Sequence, residues 1–366
     1  MKGKLMFNHI KEVVYVAVVW ILITAFFLFI KFNDLPDGCL YEMYAVPEAL
    51  TKTSRHQYQI TFFIVVPLGI IFGILHTFVY PAFRRKKPLV VALLRLLIFA
   101  TLTTLVYYIA LFFSGQDAMM HSKSLFDVFR RNTTETIIIY MLSTEYIAGL
   151  VILLRRSLGG NYLYHIVKNT YNNPKEEERV FMFLDMENST PSAQQLGHLN
   201  FSKYVQDCFW DLSDIVLKYN GEIYQYVGDE AVITWKVANN FKFKQCIDLY
   251  FAYKDLLKHR ESFYQKRYGI QPAFKCAIHS GKVSAVMVGN YKREIAYHGN
   301  VLNLCARLQA ACKENEADML LSENFYNHIK NQSEYTIDTV ELLNLRGIEG
   351  LQMAYKVFKS KNTQEC

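Results

Sequence analysis

Residues 222–231 read "EIYQYVGDEA". The runs EIYQYV and AVITWK flank Gly228-Asp229, the pattern of an antiparallel hairpin closed by a two-residue turn. Gly-Asp is ordinary turn chemistry, because glycine takes positive φ without steric cost. The same turn also sets a carboxylate at the end of a sheet, where it could meet a metal. Which reading applies depends on what else the chain brings to that end.

Upstream, "RVFMFLDM" (179–186) is an apolar run ending in an acid, as expected of a buried strand whose tip carries function. "QQLGHLNFSKYVQDCFWDLSDIVLKY" then repeats apolar residues at helical spacing and stops at Asn220-Gly221. Downstream of the hairpin, a second long helix is expected over about 240–267. Residues 273–289 read as two strands around a Ser-Gly turn, and 299–312 as a helix entered through a glycine. A further strand, a helix and closing strands complete the chain. The order β-α-β-β-α-β predicts an α+β domain with a ferredoxin-like palm and additions.

The chain has 366 residues, a net charge of +7 and a mean hydropathy of +0.07. That hydropathy is high for a soluble protein of this length. Four stretches, 12–32, 58–80, 89–113 and 135–154, reach the roughly 20 apolar residues needed to cross a bilayer. They predict a four-helix membrane domain over 1–156, a cytoplasmic linker over 157–178, a catalytic domain over 179–360 and a tail over 361–366. Lys2, Lys4, Lys11, "RRKK" (84–87), Arg155 and Arg156 place both termini on the cytoplasmic side of a multi-pass cell-membrane protein, against Arg130 and Arg131 in an external loop. Arg95 and Glu145 fall inside spans, either paired or with Arg95 reaching the interface and Glu145 protonated. His76 reads as a packing residue. The seven cysteines show no metal-ligand spacing and read as reduced buried thiols, and without long basic runs no nucleic-acid partner is expected.

Over about 180 residues, "FLDMENST", "NGEIYQYVGDEAV", "AIHSGKV", "GNVLNLCARLQ" and "LLNLRGIEGLQMAYKV" occur in the order and spacing of the class III nucleotidyl cyclases, the adenylate/guanylate cyclase family, which the chain resembles. The resemblance implies that Asp185 and Asp229, with the carbonyl of Met186, hold two Mg²⁺ or Mn²⁺ ions per active site. It implies that Asn303 orients the ribose and Arg307 stabilises charge on the α-phosphate. The backbone amides of Glu187, Asn188, Ser189 and Thr190 would cradle the triphosphate, with Arg346 a further phosphate contact. The implied reaction converts ATP to 3′,5′-cyclic AMP and pyrophosphate in a homodimer whose two sites are each shared between subunits.

The base-reading positions depart from the family pattern. Gln225 stands where adenylate-type members use lysine, and Ala296 where they use Asp or Thr. Neither is the Glu or Cys of guanylate-type members, so ATP is expected over GTP. A diguanylate cyclase of the GGDEF type would not need Asn303 and Arg307. A non-catalytic nucleotide-binding sensor would not need both pairs intact, and a channel would need more polar spans.

Overall fold

The computed structural model describes residues 2–32, 66–80, 88–113, 142–152, 154, 165–166, 168–330, 332, 334–342 and 352–359. The chain divides into two compact units, Met1–Ser157 and Leu158–Cys366.

In the first unit, α1 spans Lys2–Phe32, α2 residues 66–80, α3 Pro88–Phe113 and α4 residues 142–152. Its core joins Val16, Trp20, Leu68, Phe72, Phe99, Ala148 and Ile152, with Trp20 and Phe72 stacked 4.7 Å apart. Gly69 and Gly73, four apart on α2, let α1 come close. A Cβ at Gly73 would lie 2.7 Å from the Val13 carbonyl oxygen, and one at Gly69 3.3 Å from Ala17 Cα. Among the described residues no helix is long and apolar enough to cross a membrane. Residues 58–65 and 135–141 of the second and fourth apolar stretches lie outside the described residues.

Arg95 and Glu145, the two ionisable residues placed inside the expected spans, do not pair with each other. Glu145 meets His76 Nε2 at 3.0 Å, while the exposed Arg95 lies 4.5 Å over the Tyr80 ring. His76 is buried within a π-helical segment, Leu75–Val79, and that placement makes it the partner sequence reading took for a packing residue.

The second unit runs β1 Lys175–Met186, α5 Ser189–Lys218, β2 Glu222–Val227, β3 Glu230–Lys236, α6 Lys244–His259, α7 Glu261–Tyr268, β4 Phe274–Val288, β5 Glu294–His298, α8 Asn300–Glu314, β6 Met319–Ser322, α9 Glu323–Tyr326, β7 Tyr335–Leu342 and β8 Gln352–Lys359. The sheet order is β2-β3-β1-β4-β6-β8-β7, with β5 paired to β4. Among the described residues only the β4–β6 pair is parallel. The first four strands therefore form the expected ferredoxin-like palm, extended by β6, β8 and β7.

Alternation along the strands builds two cores. Val180, Met182, Leu184 and Met186 face α5, α6, α7 and α9. Phe181 and Phe183 face the other way, where Val301, Cys305, Leu308 and Cys312 of α8 cover them. Cys208, Cys246, Cys276, Cys305 and Cys312 are free, buried thiols, as expected; Cys39 and Cys366 lie outside the described residues.

Three sequence-based boundaries need correction. β1 begins at Lys175, inside the expected linker, because Glu177 is held there: Arg179 Nε donates to it at 2.6 Å, with Lys236 and Tyr171 also bonded to it. Arg179 is itself buried and lies 4.4 Å over the Tyr297 ring. The long second helix is two helices that break at Arg260. The break turns α7 so that Tyr264 and Tyr268 each donate at 2.7 Å to the buried acids Asp211 and Asp207 of α5.

The third correction concerns Ser280-Gly281, which is no turn. β4 runs unbroken through it, in register with β1. The glycine is there for close approach, since a Cβ on Gly281 would lie 2.9 Å from Val301 Cγ2. Gly281→Ala should destabilise the protein by about 1–3 kcal/mol through overpacking. If that contact is the cause, Gly281→Ala with Val301→Ala loses less than the sum of the single losses, measured by denaturant unfolding of the full chain.

His279 is buried in the same strand, with Nδ1 2.7 Å from Ser322 Oγ, and burial pushes its pKa down to about 4. An ordinary unfolded histidine titrates near 6.5. The stability this represents is fully present above about pH 6.5 and is lost as pH falls toward 4, about 3 kcal/mol in all. Unfolding midpoints measured from pH 7 to 4 should fall less steeply in His279→Gln.

Candidate active site

The strand register assembles the site. Asp185, near the end of β1, stands opposite Glu230 on β3 and opposite Lys275 on β4. Cross-strand partners share a face, so Glu230, Asp185 and Lys275 form one row across three strands. This is the Phe181/Phe183 face, the one that α8 covers. Asp229 sits in the turn beside Glu230. Gly228 takes φ 63° at the first central position, the place glycine holds in a type II′ hairpin turn, so the strands close over two residues.

Crowding of like charge marks this end of the sheet. The Asp185 carboxyl is held above the usual carboxylate range by burial first and then by the charge of Asp229. Hydrogen bonds from the Gln309 side chain and the Met186 backbone pull the other way. Glu230 is raised to about 7 by burial, with Asp185 and Asp229 adding to it. The nearest cation in the row, Lys275, lies 3.6 Å from Glu187 Oε2.

These groups fit a hard divalent cation. Oxygen donors converge, and the charge of Asp229 disfavours ionisation of both Asp185 and Glu230. Among the described residues no group of three or more His, Cys, Asp or Glu side chains is arranged to hold a metal alone. Carboxylate pairs that take Mg²⁺ commonly share it with substrate phosphates, so two acids are enough for that mode of binding.

A β-bulge determines where Gln225 points. Ile223 pairs with Ile233, but Gln225 pairs with Val232, so the strand gains one residue at Tyr224. In unbroken alternation Gln225 would share the face of Ile223. The extra residue turns it to the Val232 face, the same face as Asp185 and Glu230. Ala296 lies on β5, opposite Val286 and half-buried.

Asn303 and Arg307 are on α8, exposed and half-buried respectively. At about 100° per residue each stands roughly 160° around the helix from Cys305, which packs on the Asp185 face of the sheet. The structure thus brings Asp185 and Asp229 together and turns the Asn303/Arg307 face away from them in the same chain.

The phosphate cradle needs one correction. The Glu187 amide is already spent on the Ala273 carbonyl at 2.9 Å. Ser189 and Thr190 open α5, where helix geometry supplies their N–H groups no intrahelical partner. Asn188 precedes them with φ 53°. Arg346 lies outside the described residues. Sequence reading missed Glu230 and Lys275. Alternation around the turn could have found Glu230, but Lys275 shows only once β1 and β4 are paired.

Residues 172–359 match the family model described as the adenylate and guanylate cyclase catalytic domain. Adenylate cyclase 2 of Rhizobium meliloti (strain 1021) is 32% identical over 194 residues, 53% of this chain and 53% of that protein. The chain therefore spans about half the length of that curated relative. Among solved structures, a bacterial light-regulated adenylyl cyclase aligns with a TM-score of 0.51 at 16% identity, over 65% of this chain and 66% of its own. The adenylyl cyclase CyaB from P. aeruginosa aligns with a TM-score of 0.46 at 20% identity, over 52% of this chain and 97% of its own. With half its length matched in one continuous block, this chain belongs to the adenylate and guanylate cyclase catalytic domain family.

Proposed function

We propose that the chain is a membrane-bound adenylate cyclase that converts ATP to 3′,5′-cyclic AMP and pyrophosphate as a homodimer. The observation that carries this reading is the meeting of Asp185 and Asp229 at the strand ends, in a chain of the cyclase family. Two Mg²⁺ or Mn²⁺ ions held by Asp185, Asp229 and the Met186 carbonyl would neutralise phosphate charge and activate the ribose 3′ oxygen.

The chain's own residues supply the rest. The amides of Ser189 and Thr190, with the Lys275 ammonium, receive the phosphates. Asn303 orients the ribose. Arg307 forks two donors toward the α-phosphate as the 3′ oxygen bonds to its phosphorus and the bond to pyrophosphate breaks. Gln225 offers both a donor and an acceptor to the adenine edge, while Ala296 offers shape alone. Because Asn303 and Arg307 face away from their own chain's carboxylates, a second copy is needed to complete each site.

Membrane attachment is part of the proposal and rests on the four apolar stretches of the sequence. Outward-facing Leu22, Phe26, Leu93 and Leu97 suit lipid contact. Both termini would lie in the cytoplasm, with 1–156 as anchor and dimerising unit and 157–174 as linker.

Full-length protein in detergent, incubated separately with ATP and GTP plus Mg²⁺ or Mn²⁺, should yield cyclic AMP by mass. Asp185→Ala should yield none, and Arg307→Ala about 10²–10³-fold less. Cyclic GMP alone would overturn the base assignment, and no cyclic product from a folded dimer would overturn the enzyme. Asp229→Ala and Arg307→Ala proteins, mixed under subunit exchange, should regain about a quarter of wild-type activity. Half the dimers are then mixed, and each carries one intact site of two.

A further inference from the structure

Gln225 and Ala296 belong to strands that stand apart in the sheet: β3, β1 and β4 separate β2 from β5. Side chains of the two strands nevertheless meet on the face that α8 covers. The Tyr224 and Tyr297 ring centroids lie 5.1 Å apart. Both rings also pack edge-on against Phe181 of β1, at 6.5 Å and 5.5 Å. Tyr224 directly precedes Gln225, and Tyr297 directly follows Ala296. The ring contact therefore sets how far apart the two base-reading positions stand.

Each ring is held for a different reason. Tyr224 is the extra residue of the β2 bulge, so the ladder gives it no cross-strand partner and its side chain has to fix it. Tyr297 is buried, with the Arg179 guanidinium 4.4 Å over its ring. Arg179 in turn donates to Glu177 at 2.6 Å, to Glu222 at 3.3 Å and to Thr234 at 3.4 Å. Glu222 lies on β2, three residues before Gln225, so one buried guanidinium grips β2 and supports the β5 ring that meets it.

We propose that the Tyr224–Tyr297 contact is a positioning device for nucleotide selection, holding the bulge, and with it the Gln225 amide, at the distance from β5 that accepts adenine. The proposal rests on the base-reading role given to Gln225 above. The contact involves none of Asp185, Asp229, Asn303 or Arg307, so it acts on the choice of base and on KM rather than on kcat.

Full-length protein in detergent would be assayed for kcat/KM with ATP and with GTP at one Mn²⁺ concentration. Tyr224→Leu and Tyr297→Leu keep apolar bulk and remove the ring contact, while Tyr224→Phe keeps the ring. Gln225→Ala reports on the base-reading role, and unfolding midpoints check every variant. The expected result is an ATP-to-GTP ratio lowered about 3–10-fold by either leucine variant, the effect of one net hydrogen bond, through a raised KM for ATP. Tyr224→Phe should match wild type, and the double leucine variant should lose little more than either alone. A ratio lowered by Gln225→Ala but unchanged in folded Tyr224→Leu and Tyr297→Leu would overturn the proposal and leave the base-reading role standing. A ratio unmoved by Gln225→Ala would overturn the base-reading role itself. The proposal would also fall if Tyr224→Phe lowered the ratio as much as Tyr224→Leu, since the hydroxyl and not the ring contact would then be responsible. Lowered kcat for both nucleotides at an unchanged ratio, or loss of folding in both leucine variants, would overturn it too, since either marks the rings as structural.

Discussion

The antiparallel pairing of β1 with both β3 and β4 is the constraint on which the site depends. It lines up Glu230, Asp185 and Lys275 and puts all three on the face that α8 covers. A slip of one residue in either pairing would send Asp185's neighbours to the opposite face and disperse the row. The register is well specified. On one side of the sheet Val180, Met182 and Leu184 are wholly buried, and on the other Phe181 is. A slip would exchange residues between two differently shaped cores.

At the far end of β1 a buried polar network supports the same register. Arg179 reaches Glu177, Glu222 and Thr234 and stacks on Tyr297. Burial disfavours the Glu177 carboxylate, yet its bonds with Lys236 and Arg179 more than offset this and leave its pKa below the usual value. Such a network is costly to break, because removing one partner strands a buried charge. β1 is thus held by charge pairing at one end and left with crowded like charge at the other.

Much of this was legible in the sequence. The hairpin, the strand-end acid, the helix stop at Asn220-Gly221 and the palm order all follow from alternation and turn chemistry, which are local. What was not legible depends on packing between distant segments. Gly281 reads as a turn residue unless one knows that Val301 lies on it. Arg260 reads as helix interior unless Asp207 and Asp211 are known to be buried across from α7. Gln225 was named from motif position, but the direction it points is set by a bulge that no periodicity reveals. Glu145 was read with Arg95 because both are charged, whereas a π-helical segment placed His76 nearer.

α8 is anchored at two points, with Val301 seated on the bare backbone of Gly281 and Cys312 Sγ donating to the Cys276 carbonyl at 3.3 Å, about three turns further on. A helix fixed at both ends of such a span can neither slide nor roll over the sheet without breaking one of the contacts. Asn303 and Arg307 lie between the anchors, so they travel with the sheet as parts of one rigid body. An upstream input therefore has little to adjust within a single catalytic domain. In the homodimer proposed above, what stays adjustable is the docking of one copy against another, and a switch of that kind can be fast because no core has to be repacked.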